Sequence, residues 1–255
     1  MIFDTHAHYE DEAFNEDREE LLASMKANGI EKIVNVASSM QTVDSTMELC
    51  SKYDFIFGAL GVHPESTAEL TESDMQYIKE RCNDPKVVAI GEIGLDYYWD
   101  EPDREIQKKW FVRQLELAKE VKLPVIIHSR DAAKDTLDIM KAEKAEEVGG
   151  VIHCFSYEKE MAREYLDMGF YIGVGGVLTF KNARKLVEVV EYTPLDRIVT
   201  ETDCPYLAPV PMRSKRNCSL YIPYVLDKIA EVKGISVEEA TRQTYINGLN
   251  LYHGR

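Results

Sequence analysis

Eight short apolar or β-branched runs recur along the chain, at residues 2–8, 32–37, 55–62, 87–95, 124–128, 150–155, 170–174 and 197–202. Most are continuously hydrophobic rather than alternating. That pattern suits strands covered on both faces, as in a parallel sheet. The stretches between the runs carry helical spacing. Residues 18–28 include Leu21, Leu22 and Met25 and end at Asn28-Gly29, a helix stop. Residues 71–81 open on Thr71 with Asp74 three positions on, a capping box. Residues 106–121 set Trp110, Leu115, Leu117, Ala118 and Val121 on an apolar stripe. Ser236-Val237-Glu238-Glu239 is a further capping box, opening a last helix toward Leu251. Eight strands in regular alternation with helices predict a (β/α)8 barrel. A doubly wound open sheet is the alternative. No G-x-G-x-x-G follows the first run, which argues against its dinucleotide-binding form.

Composition adds bounds rather than a different picture. The chain has 255 residues and is 45% hydrophobic, and an α/β barrel of roughly 250 residues is an ordinary single domain. No low-complexity or Pro/Gly-rich stretch marks a boundary, so one domain is expected over 1–255. The first residues lack a basic n-region and a long apolar core, so no signal peptide is expected. No run approaches the roughly 20 apolar residues of a membrane helix. The five cysteines (Cys50, Cys82, Cys154, Cys204 and Cys218) are scattered without a C-x-x-C spacing. They read as reduced thiols in a cytoplasmic protein. Cys154 and Cys204 flank candidate ligands but are expected to be ordinary buried thiols. A net charge of −15 argues against a surface that coats nucleic acid. It leaves room for a nucleic-acid end entering a pocket where cations neutralise phosphate. Oligomeric state is left open, a monomer included.

The candidate chemistry lies where the runs end. His6 and His8 close the first run, His63 follows the third, Glu92 sits in the fourth, His128 and His153 end the fifth and sixth, and Asp203 follows the eighth. Active sites of barrels sit at the carboxyl ends of the strands. Histidines and carboxylates gathered there make a site for divalent cations. His6 and His8 are two apart on a strand and face the same way. Glu92 ends an apolar run, where a lone acid is costly to bury. Its two oxygens make it the candidate bridge between two cations. Asp203 is a candidate ligand that also accepts a proton from water. Glu201 shares its face one layer deeper and is expected to orient a histidine. Asp96, further out than Glu92, is expected to hold a loop or touch substrate. His63 and Arg130 are candidates for contact with the scissile group. Lys215 and Arg216, in the one dense basic cluster (Arg213-Ser214-Lys215-Arg216), are candidates for phosphate, with a plain solvated loop equally open. Tyr97, Tyr98 and Trp99 either stack on bases or cover the rim. His253 is given no role.

Together, Asp4-Thr5-His6-Ala7-His8, Gly61-Val62-His63-Pro64, Gly91-Glu92-Ile93-Gly94-Leu95-Asp96-Tyr97-Tyr98, Pro124 through Ala132, His153-Cys154-Phe155-Ser156 and Glu201-Thr202-Asp203-Cys204-Pro205 resemble the TatD family of metal-dependent deoxyribonucleases, within the wider amidohydrolase-like barrels. The motifs span nearly the whole chain in the family's order. The resemblance implies a TIM-like barrel with one to three metals, with His6, His8, Glu92, His128, His153 and Asp203 at the family's ligand positions. It also implies phosphodiester hydrolysis, typically of DNA and often from a strand end. Two departures concern substrate placement. Tyr157 stands where the family usually has Gly, and Cys218-Ser219 follows the basic cluster in place of an Asn-Glu-Pro sequence.

The reading that follows is a hydrolase with two divalent cations, drawn from Mg, Mn, Zn, Co and Ni, and no organic cofactor. His6, His8 and Asp203 hold one ion, His128 and His153 the other, and Glu92 bridges. DNA is the expected substrate, attacked 3′-5′ from its ends by metal-activated water, with Asp203 taking the proton and Glu92 and His63 assisting. No membrane partner is expected. Two rivals stand: a small-molecule amidohydrolase or lactonase on the same barrel, and a catalytically inert binding barrel.

Overall fold

Eight parallel strands run in sequence order around the sheet, each hydrogen-bonded to the next. They are β1 (Ile2–Ala7), β2 (Ile30–Val36), β3 (Ile56–Leu60), β4 (Val87–Asp96), β5 (Val125–Arg130), β6 (Gly150–Ile152), β7 (Tyr171–Val174) and β8 (Ile198–Thr200). This computed structural model describes residues 1–99 and 101–252; His253 lies outside them. Among the described residues the helices are α1 (Arg18–Ser24), α2 (Met40–Lys52), α3 (Glu72–Arg81), α4 (Arg104–Val121), α5 (Ala133–Ala142), α6 (Lys159–Asp167), α7 (Arg184–Tyr192), α8 (Ile222–Lys233) and α9 (Val237–Leu251). The alternation is that of a single (β/α)8 barrel, as the apolar runs predict.

Closure between β8 and β1 comes from an isolated parallel bridge, Ala7 to Cys204, beyond the end of β8. Side chains complete it: Thr5 Oγ1 donates to Thr200 O at 3.1 Å and Thr200 Oγ1 to Phe3 O at 3.3 Å. The continuous hydrophobicity of the strands follows from two cores. Phe3, Val34, Val36, Val88, Ile126, Val151 and Val199 fill the barrel interior, together with Leu251 and Tyr252 from the end of α9. Residues of opposite parity, among them Ile33, Ile127 and Ile198, face the helices. The Tyr252 hydroxyl donates to Thr5 O at 2.9 Å, plugging one end of the barrel. The other end is left to polar residues.

Helix boundaries follow local capping. Thr71 and Asp74 form the reciprocal box that the spacing predicts. Ser236 accepts from Glu239 N at 3.1 Å. The run 18–28 is divided, with α1 stopping at Ser24 and a 3-10 turn, Lys26–Asn28, following. Gly29, at φ 81°, then turns the chain into β2. The fourth helix starts two residues earlier than the apolar stripe suggests. Asp103 caps it by accepting from Glu105 N at 2.9 Å.

Candidate metal centre

The six candidate ligands meet at the polar mouth of the barrel. His6, His8, His153 and Asp203 lie at or just beyond the carboxyl ends of β1, β6 and β8, and His128 and Glu92 lie within β5 and β4, which run on past them to Arg130 and Asp96. His6 and His8 straddle the end of β1. Their Nε2 atoms are 3.0 Å apart. Asp203 follows β8 in the left-handed backbone region, φ 56°, a conformation Asp tolerates better than most residues. Its Oδ1 is 3.7 Å from His6 Nε2 and 3.5 Å from His8 Nε2. Ligands at about 2.1 Å from one tetrahedral cation are about 3.4 Å apart, so these three atoms are spaced for a shared ion. They form one of the donor clusters of the structure.

Glu92 stands between the histidine pairs. Its Oε2 is 3.6 Å from His6 Nε2 and 3.9 Å from His8 Nε2. Its Oε1 is 2.8 Å from His128 Nδ1 and 3.6 Å from His153 Nε2. Burial alone would push the Glu92 carboxyl up, but the surrounding His153, His128 and His6 outweigh it and hold the group well below the usual carboxylate range. A buried, ionised carboxylate with one oxygen toward each pair has the shape and charge to share two cations.

Supporting side chains set the ring orientations. The carbonyl of Val36, 2.8 Å from His8 Nδ1, holds a proton there and leaves Nε2 facing the site. Glu201 Oε1 is 3.1 Å from His153 Nδ1 and accepts from Cys154 N at 2.6 Å. Glu201 thus stands beside His153, as expected, but His153 Nδ1 itself makes no hydrogen bond. Gly173 makes room for it, since a Cβ there would be 2.5 Å from Glu201 Oε2. Gly94, at φ 148°, is needed because a Cβ would be 1.8 Å from His128 O. Asp96 Oδ2 is 2.9 Å from His128 Nε2, and its Oδ1 accepts from Tyr98 N. Asp96 therefore does hold a loop, and it also flanks a candidate ligand. With carboxylates at both nitrogens, His128 is lifted to about 9 despite its burial.

The donor set fits a divalent cation for a second reason. His6, His153 and Glu201 form a further buried donor cluster, in which His6 Nδ1, His153 Nδ1 and Glu201 Oε2 have no hydrogen-bond partner, a costly arrangement in a site with no countercharge. Mixed imidazole and carboxylate donors suit borderline and hard metals.

Three residues at the site carry weaker sequence signals. Asp4 is buried and accepts from His6 N, Thr202 N, Thr202 Oγ1 and Ser219 Oγ. Burial pushes its carboxyl up to about 7 against those four bonds. It ties β1 to the segment carrying Asp203. Glu10 lies 3.4 Å from His8 Nδ1 and accepts from Asn35 Nδ2 at 2.8 Å. Its spacing two positions after His8 is the only signal that could have found it. Tyr157 donates or accepts at Ser129 Oγ, 2.8 Å away, and caps Ala132 N at 3.3 Å. It thereby links the loops after β5 and β6.

The substrate candidates divide. His63 lies at the site, its ring edge-on to His128 with centroids 4.3 Å apart. It clusters with Glu92 and His128 as a donor, and burial followed by His128 pushes it down to about 3. Arg130 lines the same cavity, about 810 Å³ in volume, as do Trp99 and Tyr206. Lys215 and Arg216 do not line it. Arg216 is instead bound through both terminal nitrogens by Asp17, at 2.9 and 2.6 Å, and donates to Ala13 O. The five cysteines are free; Cys204 is buried as expected, whereas Cys154 is only partly buried and clusters with His153 and Asp203 as a possible donor.

A parallel barrel with histidines and carboxylates converging at its carboxyl-end mouth defines a metal-dependent hydrolase. The sequence profile described as TatD related DNase matches residues 3–253, and the chain belongs to that family. It is 48% identical to the uncharacterized metal-dependent hydrolase YabD of Bacillus subtilis, over 99% of each chain. It is 30% identical to the 3'-5' ssDNA/RNA exonuclease TatD of Klebsiella pneumoniae, over 98% of this chain and 97% of that one. The crystal structure of YJJV, a TatD homolog from Escherichia coli, superposes with a TM-score of 0.92 at 29% identity, covering 99% and 98% of the two chains. Among the described residues, no helix is long and apolar enough to cross a membrane.

Proposed function

We propose that this hydrolase cleaves phosphodiester bonds, removing nucleotides from DNA ends in the 3′-5′ direction. The observation that carries the reading is Glu92, with one oxygen 3.6 Å from His6 and the other 2.8 Å from His128. A carboxylate so placed suits a two-cation site, and two-cation sites recur in phosphoryl transfer. The name of the Klebsiella relative, an exonuclease on single-stranded DNA and RNA, supports the same chemistry.

His6, His8 and Asp203 would hold one cation, His128 and His153 the other, with Glu92 between them. Such cations lower the pKa of water and neutralise phosphoryl oxygens. Asp203, partly exposed at the mouth, would take a proton from the attacking water. His63, kept neutral by burial, offers a nitrogen to the scissile group rather than a charge. Arg130 supplies the guanidinium charge at the cavity for phosphate. The five free thiols fit a reducing, cytoplasmic setting.

Parallel assays on oligonucleotides and on a panel of lactones and cyclic amides test the reading. Turnover of the DNA substrates above background supports it. Turnover of lactones or amides alone moves the assignment to the small-molecule hydrolase, and no turnover of either with metals bound moves it to the inert barrel.

A further inference from the structure

The mouth of the cavity is unsuited to a charge-driven grip on a polynucleotide. Glu10, Asp11, Glu65 and Asp96 line it along with Glu92 and Asp203, and among its described lining residues Arg130 is the only lysine or arginine. The whole chain adds a net charge of −15. Cations in the site account for the scissile phosphate, but nothing in this lining tracks a backbone beyond it. A tight complex with a long polyanion would normally draw on several basic contacts.

Aromatic surface stands where that charge is missing. Trp99, 61% exposed, and Tyr98, 55% exposed, follow β4 and meet edge to face with centroids 4.9 Å apart. The Arg130 guanidinium lies 3.8 Å over the Tyr98 ring. Arg130, Tyr98 and Trp99 thus form a connected shelf, and Trp99 and Arg130 border the cavity that holds the donor cluster. The cost of exposing an indole is offset when a base stacks on it. Tyr206 stands at the same mouth, but its hydroxyl is bonded to Asp11 at 3.2 Å, beside carboxylates that repel phosphate.

We infer that Trp99 is a specificity-determining residue: it stacks on the nucleobase adjoining the scissile phosphate of a single strand. Recognition then rests on one stacked base and one phosphate, and strand length beyond a few nucleotides adds nothing. A paired base has its faces covered by its neighbours, so single-stranded ends are preferred. This inference rests on the phosphodiesterase reading above and names the mode of binding within it.

Trp110 is buried at 4% exposure, so fluorescence changes on binding report Trp99. The test is stopped-flow tryptophan fluorescence of Mg²⁺-loaded protein mixed with a thymidine trinucleotide, or with the same backbone carrying abasic sugars. Products are collected from the same mixtures. Quenching by the base-bearing strand only is expected. Trp99→Leu should lower kcat/KM on that strand about tenfold, mostly through KM, and bring its ratio to the abasic strand to about one. The slope of log affinity against log salt should be no steeper than about −1. Equal quenching by both strands, an unchanged KM in Trp99→Leu, or a steep salt slope would overturn the stacking role. Cleavage without a base-dependent signal removes Trp99 but leaves the phosphodiesterase. A base-dependent signal without cleavage keeps the shelf and removes the phosphodiesterase.

Discussion

The rings of His6 and His153 are stacked, centroids 3.6 Å apart and planes 17° apart, although one residue belongs to β1 and the other follows β6. Two imidazoles this close do not share two protons comfortably. Burial, followed by the charge of His153, holds His6 well below its ordinary value. Burial also works against charge on His153, yet the carboxylates of Glu201, Glu92 and Asp203 lift it to about 9. The metal-free site therefore keeps its protons on His153, His128 and His8, the last held well above its ordinary value, against its burial, by Asp203 and Glu10, and leaves His6 neutral.

That distribution predicts proton release on metal binding. His128 and His153 are both lifted to about 9, so at pH 7 a cation displaces protons from them, and apparent affinity rises with pH toward 9. The sign for stability follows from the same shift. A histidine whose folded value lies above about 6.5 adds stability below that value and loses it as pH rises through 9. Calorimetry in buffers of different ionisation enthalpy should show protons released. The melting temperature of chelator-treated protein should fall between pH 6.5 and 9.

Glu92→Ala should lower metal affinity by more than about a hundredfold, exceeding the 10–100-fold effects of residues that merely support ligands. Hydrolysis should be lost with it. The fold should persist, because the cores of the barrel do not involve Glu92. Metal analysis and circular dichroism read the two effects separately. Normal turnover would remove Glu92 as the bridge.

Glu201→Gln keeps the volume beside Gly173 but removes the charge 3.1 Å from His153 Nδ1. A loss of about 10–100-fold in metal affinity is expected, measured by competition with a chromophoric chelator. The value for His153 should also fall, visible in its imidazole NMR titration.

Tyr157→Phe removes one hydroxyl bonded to Ser129 Oγ and Ala132 N. Ser129 retains Thr136 Oγ1 at 2.9 Å, so the cost should stay near 1 kcal/mol. For a chain of this length that is a drop of about 2–4 °C in melting temperature by calorimetry.

Much of the barrel was legible because each strand is buried on both faces, leaving runs such as Val87–Ile90 unbroken. The ends of those runs located the polar cluster for the same reason: only there does an apolar strand meet solvent. What the sequence hid depends on contacts between distant segments. Asp4 looks like one more residue of an apolar run, and its role appears only when Ser219 and Thr202 come to it. Arg216 shows the converse. Its place in a basic cluster suggested phosphate, but Asp17, far away in sequence, occupies its guanidinium. His63, expected to face the scissile group, also lies within donor distance of Glu92 and His128, a proximity no spacing in the chain encodes.

The central claim is tested most directly with single-stranded DNA labelled at its 5′ end, incubated with Mg²⁺ or Mn²⁺ and wild-type protein or Asp203→Ala. Stepwise shortening of the label by wild type, abolished in Asp203→Ala and by a chelator, is the predicted result. No cleavage by wild-type protein carrying its metals would contradict the account, as would equal shortening by both proteins.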